Sequence, residues 1–64
     1  MGYLVLKKEM SKKEFDEYKK ERIDGQGFKM GRNPAGDLFF TKEKSSETIC
    51  AYVWTGGYLI QELD

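Results

Sequence analysis

The chain has no histidine, one cysteine, one proline and one tryptophan. Each shortage removes a class of function. Without histidine, the common general base and the commonest metal ligand are both missing. Nucleophilic chemistry would then fall to Cys50 or to a serine activated by a lysine or a carboxylate. One cysteine cannot form an internal disulfide, so the apolar core must hold the fold, as is usual in a reducing compartment. The carboxylates show none of the usual zinc-ligand spacings, so neither metal nor cofactor is expected. No apolar run approaches the roughly 20 residues that span a bilayer, and the N-terminal run is too short for a signal peptide. A cytoplasmic protein is the expectation.

Sixty-four residues make one domain, 1–64, in which only about 60% of the unfolded surface can be buried. A cleft for a small-molecule substrate is not expected at this size. The formal charge is zero, but residues 1–32 hold nine Lys or Arg against six Asp or Glu, and residues 33–64 hold two against five. Overall neutrality weighs against tight non-specific nucleic-acid binding, which needs uncompensated cations along a phosphate track.

What the sequence does have is a C-terminal third built for a hairpin. Thr48 to Trp54 is rich in β-branched and aromatic residues, Thr55-Gly56-Gly57 follows, and Tyr58 to Leu63 is a second such run. With Gly56-Gly57 as a two-residue turn, Trp54 faces Leu59, Val53 faces Ile60 and Tyr52 faces Gln61. One face then carries Ile49, Ala51, Val53, Tyr58 and Ile60, and the other Cys50, Tyr52, Trp54, Leu59 and Leu63. Both faces are apolar, whereas a hairpin with one wet side alternates cleanly.

Upstream, Gly2 to Lys7 reads as a first strand whose continuous apolar character predicts burial on both sides and a central place, while the sequence does not choose which edge of the four-strand meander it pairs with. Met10-Ser11-Lys12-Lys13-Glu14-Phe15 predicts a helix start. Ser11 caps, Glu14 completes a capping box, and Met10 and Phe15 occupy the positions of a hydrophobic staple. The helix should run to about Ile23 and stop at Asp24-Gly25. Its apolar stripe is narrow, with Phe15, Tyr18 and Arg22 on one face, so it can cover little sheet. Phe28 to Arg32 alternates as a second strand. Asn33-Pro34-Ala35-Gly36 predicts a type I turn with a glycine bulge, setting Arg32 against Leu38 and Met30 against Phe40. With Lys44 to Glu47 as the next loop, Phe40 faces Ala51, Leu38 faces Val53 and Phe39 faces Tyr52.

The predicted fold is α+β, in the order β-α-β-β-β-β, with a single helix on a four- to five-stranded antiparallel sheet. One face collects Phe28, Met30, Leu38, Phe40, Ile49, Ala51, Val53 and Ile60. The other gathers Phe39, Tyr52, Trp54 and Leu59 beside Lys29. Three arrangements would satisfy the second face: the sheet curls toward a small barrel, terminal segments fold over it, or it is a contact surface.

Enzymatic readings fare poorly against bland ones. Cys50 stands mid-strand, where a small buried residue belongs. Glu14, Glu17 and Glu21 line one side of an exposed helix with nothing to raise a carboxyl pKa for acid catalysis. Gly25, Gly27 and Gly31 follow a helix and precede a strand, the reverse of a phosphate loop. The expected function is therefore a small non-enzymatic binding protein, a regulator or an inhibitor of a larger protein. Its size also suits viral or mobile-element proteins. The partner-binding set is Phe39, Tyr52, Trp54, Leu59 and Lys29, with a protein, or a second copy of the chain, as partner. Lys12, Lys13, Lys19 and Lys20 form a secondary basic patch suited to an acidic partner. The alternative is single-stranded nucleic acid, with bases stacked on the aromatics and phosphates held by Lys29, Arg32 and Lys42.

Overall fold

The computed structural model describes residues 3–64. It is an α+β fold with one five-stranded antiparallel sheet. The strands are β1 (Leu4–Ser11), β2 (Lys29–Arg32), β3 (Leu38–Thr41), β4 (Thr48–Trp54) and β5 (Gly57–Leu63). The helix α1 (Lys12–Tyr18) follows β1 and continues into a π-helical turn, Lys19–Ile23. Strands lie in the order β1-β5-β4-β3-β2, and the sheet stays open instead of closing into a barrel.

The helix begins where its capping chemistry dictates. Glu14 N–H donates to Ser11 Oγ at 3.2 Å and Ser11 N–H donates to Glu14 Oε1 at 3.3 Å, so two otherwise orphaned donors are satisfied reciprocally. Met10 and Phe15, the staple pair, are both buried in the core. At the other end Asp24 N–H reaches back five residues to Lys19 O at 2.7 Å, widening the last turn. Asp24 is extended, at φ −64° and ψ 133°, and Gly25 has φ 77°. The glycine therefore serves a type II turn just after the helix, closed by Gln26 N–H on Ile23 O at 3.1 Å.

The hairpin between β2 and β3 has the expected register, with Met30 opposite Phe40 and Arg32 opposite Leu38. Gly36 N–H bonds Asn33 O at 3.0 Å and Gly36 takes φ 93°, which only glycine adopts without strain. The next two pairings are each displaced by two residues from expectation. Leu38 faces Ala51 and Phe40 faces Ile49, leaving Lys42 to Glu47 as the connection. Lys42 Nζ and Glu47 Oε2, 3.5 Å apart, join its two ends. In the last hairpin Trp54 faces Gly57, Val53 faces Tyr58 and Tyr52 faces Leu59, so the turn residues are Thr55 and Gly56. Gly57 belongs to the strand. A Cβ there would collide with the Met10 carbonyl oxygen across the β1–β5 ladder, so this glycine permits close backbone approach and not a turn. A slip of two residues preserves side-chain parity, and the composition of each face survives it.

The first strand is not central. It lies at the edge, bonded only to β5, because β4 already occupies the other side of β5. Its ladder is irregular between Leu4 and Leu6. Tyr3, Leu4 and Val5 are 75%, 57% and 64% exposed, so the apolar run marks no two-sided burial. Lys7, Lys8 and Glu9 carry the charges that natural edge strands use against uncontrolled pairing. Gly2, included in the expected strand, lies outside the described residues.

The inner face of the sheet holds the core: Leu38, Phe40, Ile49, Ala51 and Ile60, closed over by Met10, Phe15 and Ile23. Phe15 and Tyr58 pack with ring centroids 4.4 Å apart. Because α1 lies along β1 and β5, the far corner of this face is left open. Met30 and Val53, expected in the core, are 59% and 55% exposed. One short helix does not reach them.

Candidate contact face

The outer face is made by alternate residues that the pairing brings into rows. Lys7, Gln61, Cys50, Phe39 and Gly31 form one row. Glu9, Leu59 and Tyr52 form the next, and Gly57 and Trp54 the one beyond. On the other side of the first row lie Leu4, Leu63, Thr48, Thr41 and Lys29. The helix α1 packs on the opposite side and does not cover these rows.

Four of the residues singled out in the sequence come together here. Phe39 and Tyr52 meet edge to face with centroids 6.4 Å apart, the arrangement aromatic quadrupoles favour. Tyr52 stands opposite Leu59. Trp54 is 51% exposed at the end of β4. Beside its indole is an open hollow lined by Lys7, Lys8, Glu9, Trp54 and Leu59. Cys50 is buried at 5% exposure, a small residue beneath larger neighbours. The Tyr52 phenol is held above its ordinary pKa, first by the neighbouring Cys50 side chain, then by burial and the Asp37 carboxylate.

Lys29 is on this face but at its far edge. It is opposite Thr41 in β3, three rows from Trp54, or on the order of 20 Å at two residues per row. Arg32 pairs with Leu38 and so projects with the inner face. Lys42 packs its ammonium 4.8 Å from the centroid of Phe28, also on the inner side. Lys7 and Glu9 were missed as members of the face. Their alternation about Lys8 is visible in the sequence, but their side of the sheet follows from β1 pairing with β5, which no local signal specifies.

The secondary patch is separate. Lys12, Lys13 and Lys20 are exposed and Lys19 is half-buried, all on the helical segment and thus on the other side of the sheet from Trp54. Glu14, Glu17 and Glu21 border a shallow hollow toward β1 together with Lys8. Charges of both signs therefore flank the helix.

The end of the helical segment is tied to the sheet by a polar cluster. Tyr18 O–H donates to Glu62 Oε2 at 2.7 Å, and Arg22 Nε donates to Glu62 Oε1 at 3.3 Å. Arg22 Nη2 also lies 3.7 Å from Glu47 Oε2, which is shielded from solvent and meets its two cations at ion-pair, not hydrogen-bond, distance. Burial, followed by the bond to Glu62, pushes the Tyr18 phenol pKa well up. Arg22 and Glu47 are more than a third exposed, so these pairs contribute at most about 1 kcal/mol each. The cluster ties the end of the helical segment to β5 through Glu62, with Glu47 Oε2 held only by ion pairing. Among the described residues no group of three or more Cys, Asp or Glu could hold a metal ion, and no helix is long and apolar enough to cross a membrane.

No family model matches the chain, and no curated protein or solved structure does either. The functional reading therefore rests on the molecule's own geometry.

Proposed function

We propose that this is a non-enzymatic binding protein that regulates or inhibits a larger protein by docking on it through the outer face of its sheet. The observation that carries the reading is a half-exposed Trp54 beside a hollow, on a face that also presents Tyr52, Phe39 and Leu59. Tryptophan and tyrosine dominate interface hot spots because each buries a large area at little cost in side-chain entropy. Truncating one such anchor typically weakens a protein complex by 2 kcal/mol or more.

The placement of the cations favours a protein over a nucleic-acid strand. Of Lys29, Arg32 and Lys42, only Lys29 shares the face with the aromatics, and it stands at the far edge. Lys7 is close to Trp54 but Glu9 is beside it. A stacked strand would find no continuous phosphate track there.

The test is capture from native lysate by immobilised wild type, Trp54→Ala and Leu59→Ala, with circular dichroism confirming that each variant is folded. The reading expects a partner held by the wild type and lost from both variants. Equal capture by all three would overturn it. A single-stranded oligonucleotide that quenches Trp54 emission with a steep salt dependence would point to the nucleic-acid reading instead.

A further inference from the structure

We propose, resting on the reading of a larger protein as partner, that the free edge of β1 takes up an extended segment of that protein as a sixth strand. The segment it fits is basic on one side and apolar on the other. Of the two free edges of the sheet, β2 is blunted by its length of four residues. β1 is twice as long, and beyond the irregularity at Leu4 it pairs residue by residue from Leu6 to Ser11.

The ladder fixes which backbone groups of β1 are free. Tyr3 and Asp64 exchange both of their N–H to carbonyl bonds, at 2.7 and 2.8 Å. Counting back by twos, Glu62, Ile60 and Tyr58 are the β5 residues bonded to β1, through their partners Leu6, Lys8 and Met10. Lys7 and Glu9 therefore turn their N–H and C=O away from the sheet. Ser11 N–H points the same way, and Glu14 Oε1 takes it at 3.3 Å. The N–H and C=O of Lys7 and Glu9 are left open to another strand, because β1 has β5 as its one neighbour.

What flanks the edge sets the chemistry of the segment. Laid antiparallel beside β1, its residues opposite Lys7 and Glu9 project with the outer face, and those opposite Leu6, Lys8 and Met10 with the inner face. On the outer side the hollow of Trp54 and Leu59 reaches Glu9 and the strand edge, so an apolar side chain opposite Glu9 covers it. On the inner side Glu14, Glu17 and Glu21 border a hollow with Lys8 and Met10. All three carboxylates are exposed, and among the described residues none is in an ion pair. Three negative charges against one positive favour a basic occupant.

The spacing matches as well. Glu14 to Glu21 covers about 10 Å along the helix axis, and the positions opposite Met10 and Leu6 lie about 13 Å apart. Basic side chains at those two positions straddle Lys8 and reach the two ends of the acidic row, with a neutral residue opposite Lys8 itself. The expected pattern over five residues is basic, apolar, neutral, apolar, basic. Main-chain bonds supply the hold and alternate side chains the selectivity. The charges of β1 that discourage indiscriminate pairing are compatible with this segment.

The probe is a blocked, labelled peptide with the core lysine-valine-threonine-valine-lysine, titrated by fluorescence anisotropy while amide hydrogen exchange is followed by NMR. In the free protein the amides of Lys7 and Glu9 should exchange fast and those of Lys8 and Met10 slowly. The peptide should slow the first pair ten-fold or more. N-methylation of both valines, which face β1, should abolish binding, whereas N-methylation of the threonine, which faces away, should not. A peptide with glutamate in place of both lysines should bind at least ten-fold more weakly. Glu17→Lys/Glu21→Lys, with its fold checked by circular dichroism, should reverse that preference. No binding at millimolar peptide overturns the proposal, as does binding that is indifferent to the peptide's charges or leaves the Lys7 and Glu9 amides exchanging freely. If Trp54→Ala loses the lysate partner while Glu17→Lys/Glu21→Lys keeps it, the outer-face reading stands and the added strand falls. If the peptide behaves as expected and Trp54→Ala still captures the partner, the outer-face reading falls alone.

Discussion

Ile60 and Leu59 are adjacent in β5 and chemically alike, yet they belong to different environments. Ile60 is completely buried under α1, while Leu59 opens onto the hollow beside Trp54. In β4 exposure follows position along the strand instead: Cys50 and Ala51 are buried on opposite faces, and Val53 and Trp54, near the strand's end, are half-exposed. Both faces of the sheet are apolar, but only one has a helix. Where the helix covers it, the inner face is fixed by packing within the monomer and its residues contribute stability, whereas Met30 and Val53 lie beyond that cover. The outer face has little to hold within the monomer, so its residues should contribute to association far more than to folding.

That contrast can be broken at the core first. Phe40 is 1% exposed, so Phe40→Ala should cost about 3–5 kcal/mol. For a domain of this size that is most of the stability, and urea denaturation should find the variant largely unfolded. Gly57→Ala comes next, at about 2 kcal/mol, because its Cβ meets a backbone carbonyl that cannot swing aside as a side chain would. The loss should appear as a lowered midpoint of thermal unfolding. Asp37→Ala follows. The Asp37 carboxylate accepts from Val53 N–H at 2.9 Å and from Asn33 Nδ2 at 3.2 Å, bracing the strand that carries Trp54 against the preceding turn. Its removal should cost about 1.5 kcal/mol, and Asp37→Asn, which keeps an acceptor oxygen, less. Trp54→Ala should sit at the small end, within about 0.5 kcal/mol in stability, while abolishing partner capture. A Trp54→Ala loss comparable to that of Phe40→Ala would erase the distinction between the faces.

The pH dependence sharpens the same comparison. Tyr18 has its folded-state pKa raised above the ordinary 10.0 by burial and by Glu62. Folding therefore favours its protonated form. The stabilisation is complete below pH 10 and is lost as pH rises above that value through the folded pKa. Thermal unfolding midpoints should fall more steeply above pH 10 for the wild type than for Tyr18→Phe.

Local chemistry was the legible part of this sequence. The capping box at Ser11 and Glu14, and the Asn33 to Gly36 turn with its register, follow from interactions among residues a few positions apart. The composition of the two faces was legible too, because parity withstands a two-residue slip. What could not be read depends on long-range partners. Gly57 resembles a turn residue until β1 is seen to cross beside it. Leu4-Val5-Leu6 resembles a central strand until β5 is seen to have only one free side. Val53 and Met30 match the core pattern, and they are exposed because the helix settles over β1 and β5. Within the candidate site, Phe39, Tyr52, Trp54 and Leu59 could be grouped from alternation alone, whereas Lys7 and Glu9 join them only through the β1–β5 pairing.

The central claim, an outer face open in the monomer, can be tested at one residue, since Trp54 is the single tryptophan. In dilute protein, acrylamide should quench native Trp54 emission at a rate not far below that in the urea-unfolded chain, with an emission maximum intermediate between buried and fully solvated indole. A blue emission maximum with strongly suppressed quenching, in a species that sediments as a monomer, would contradict the account.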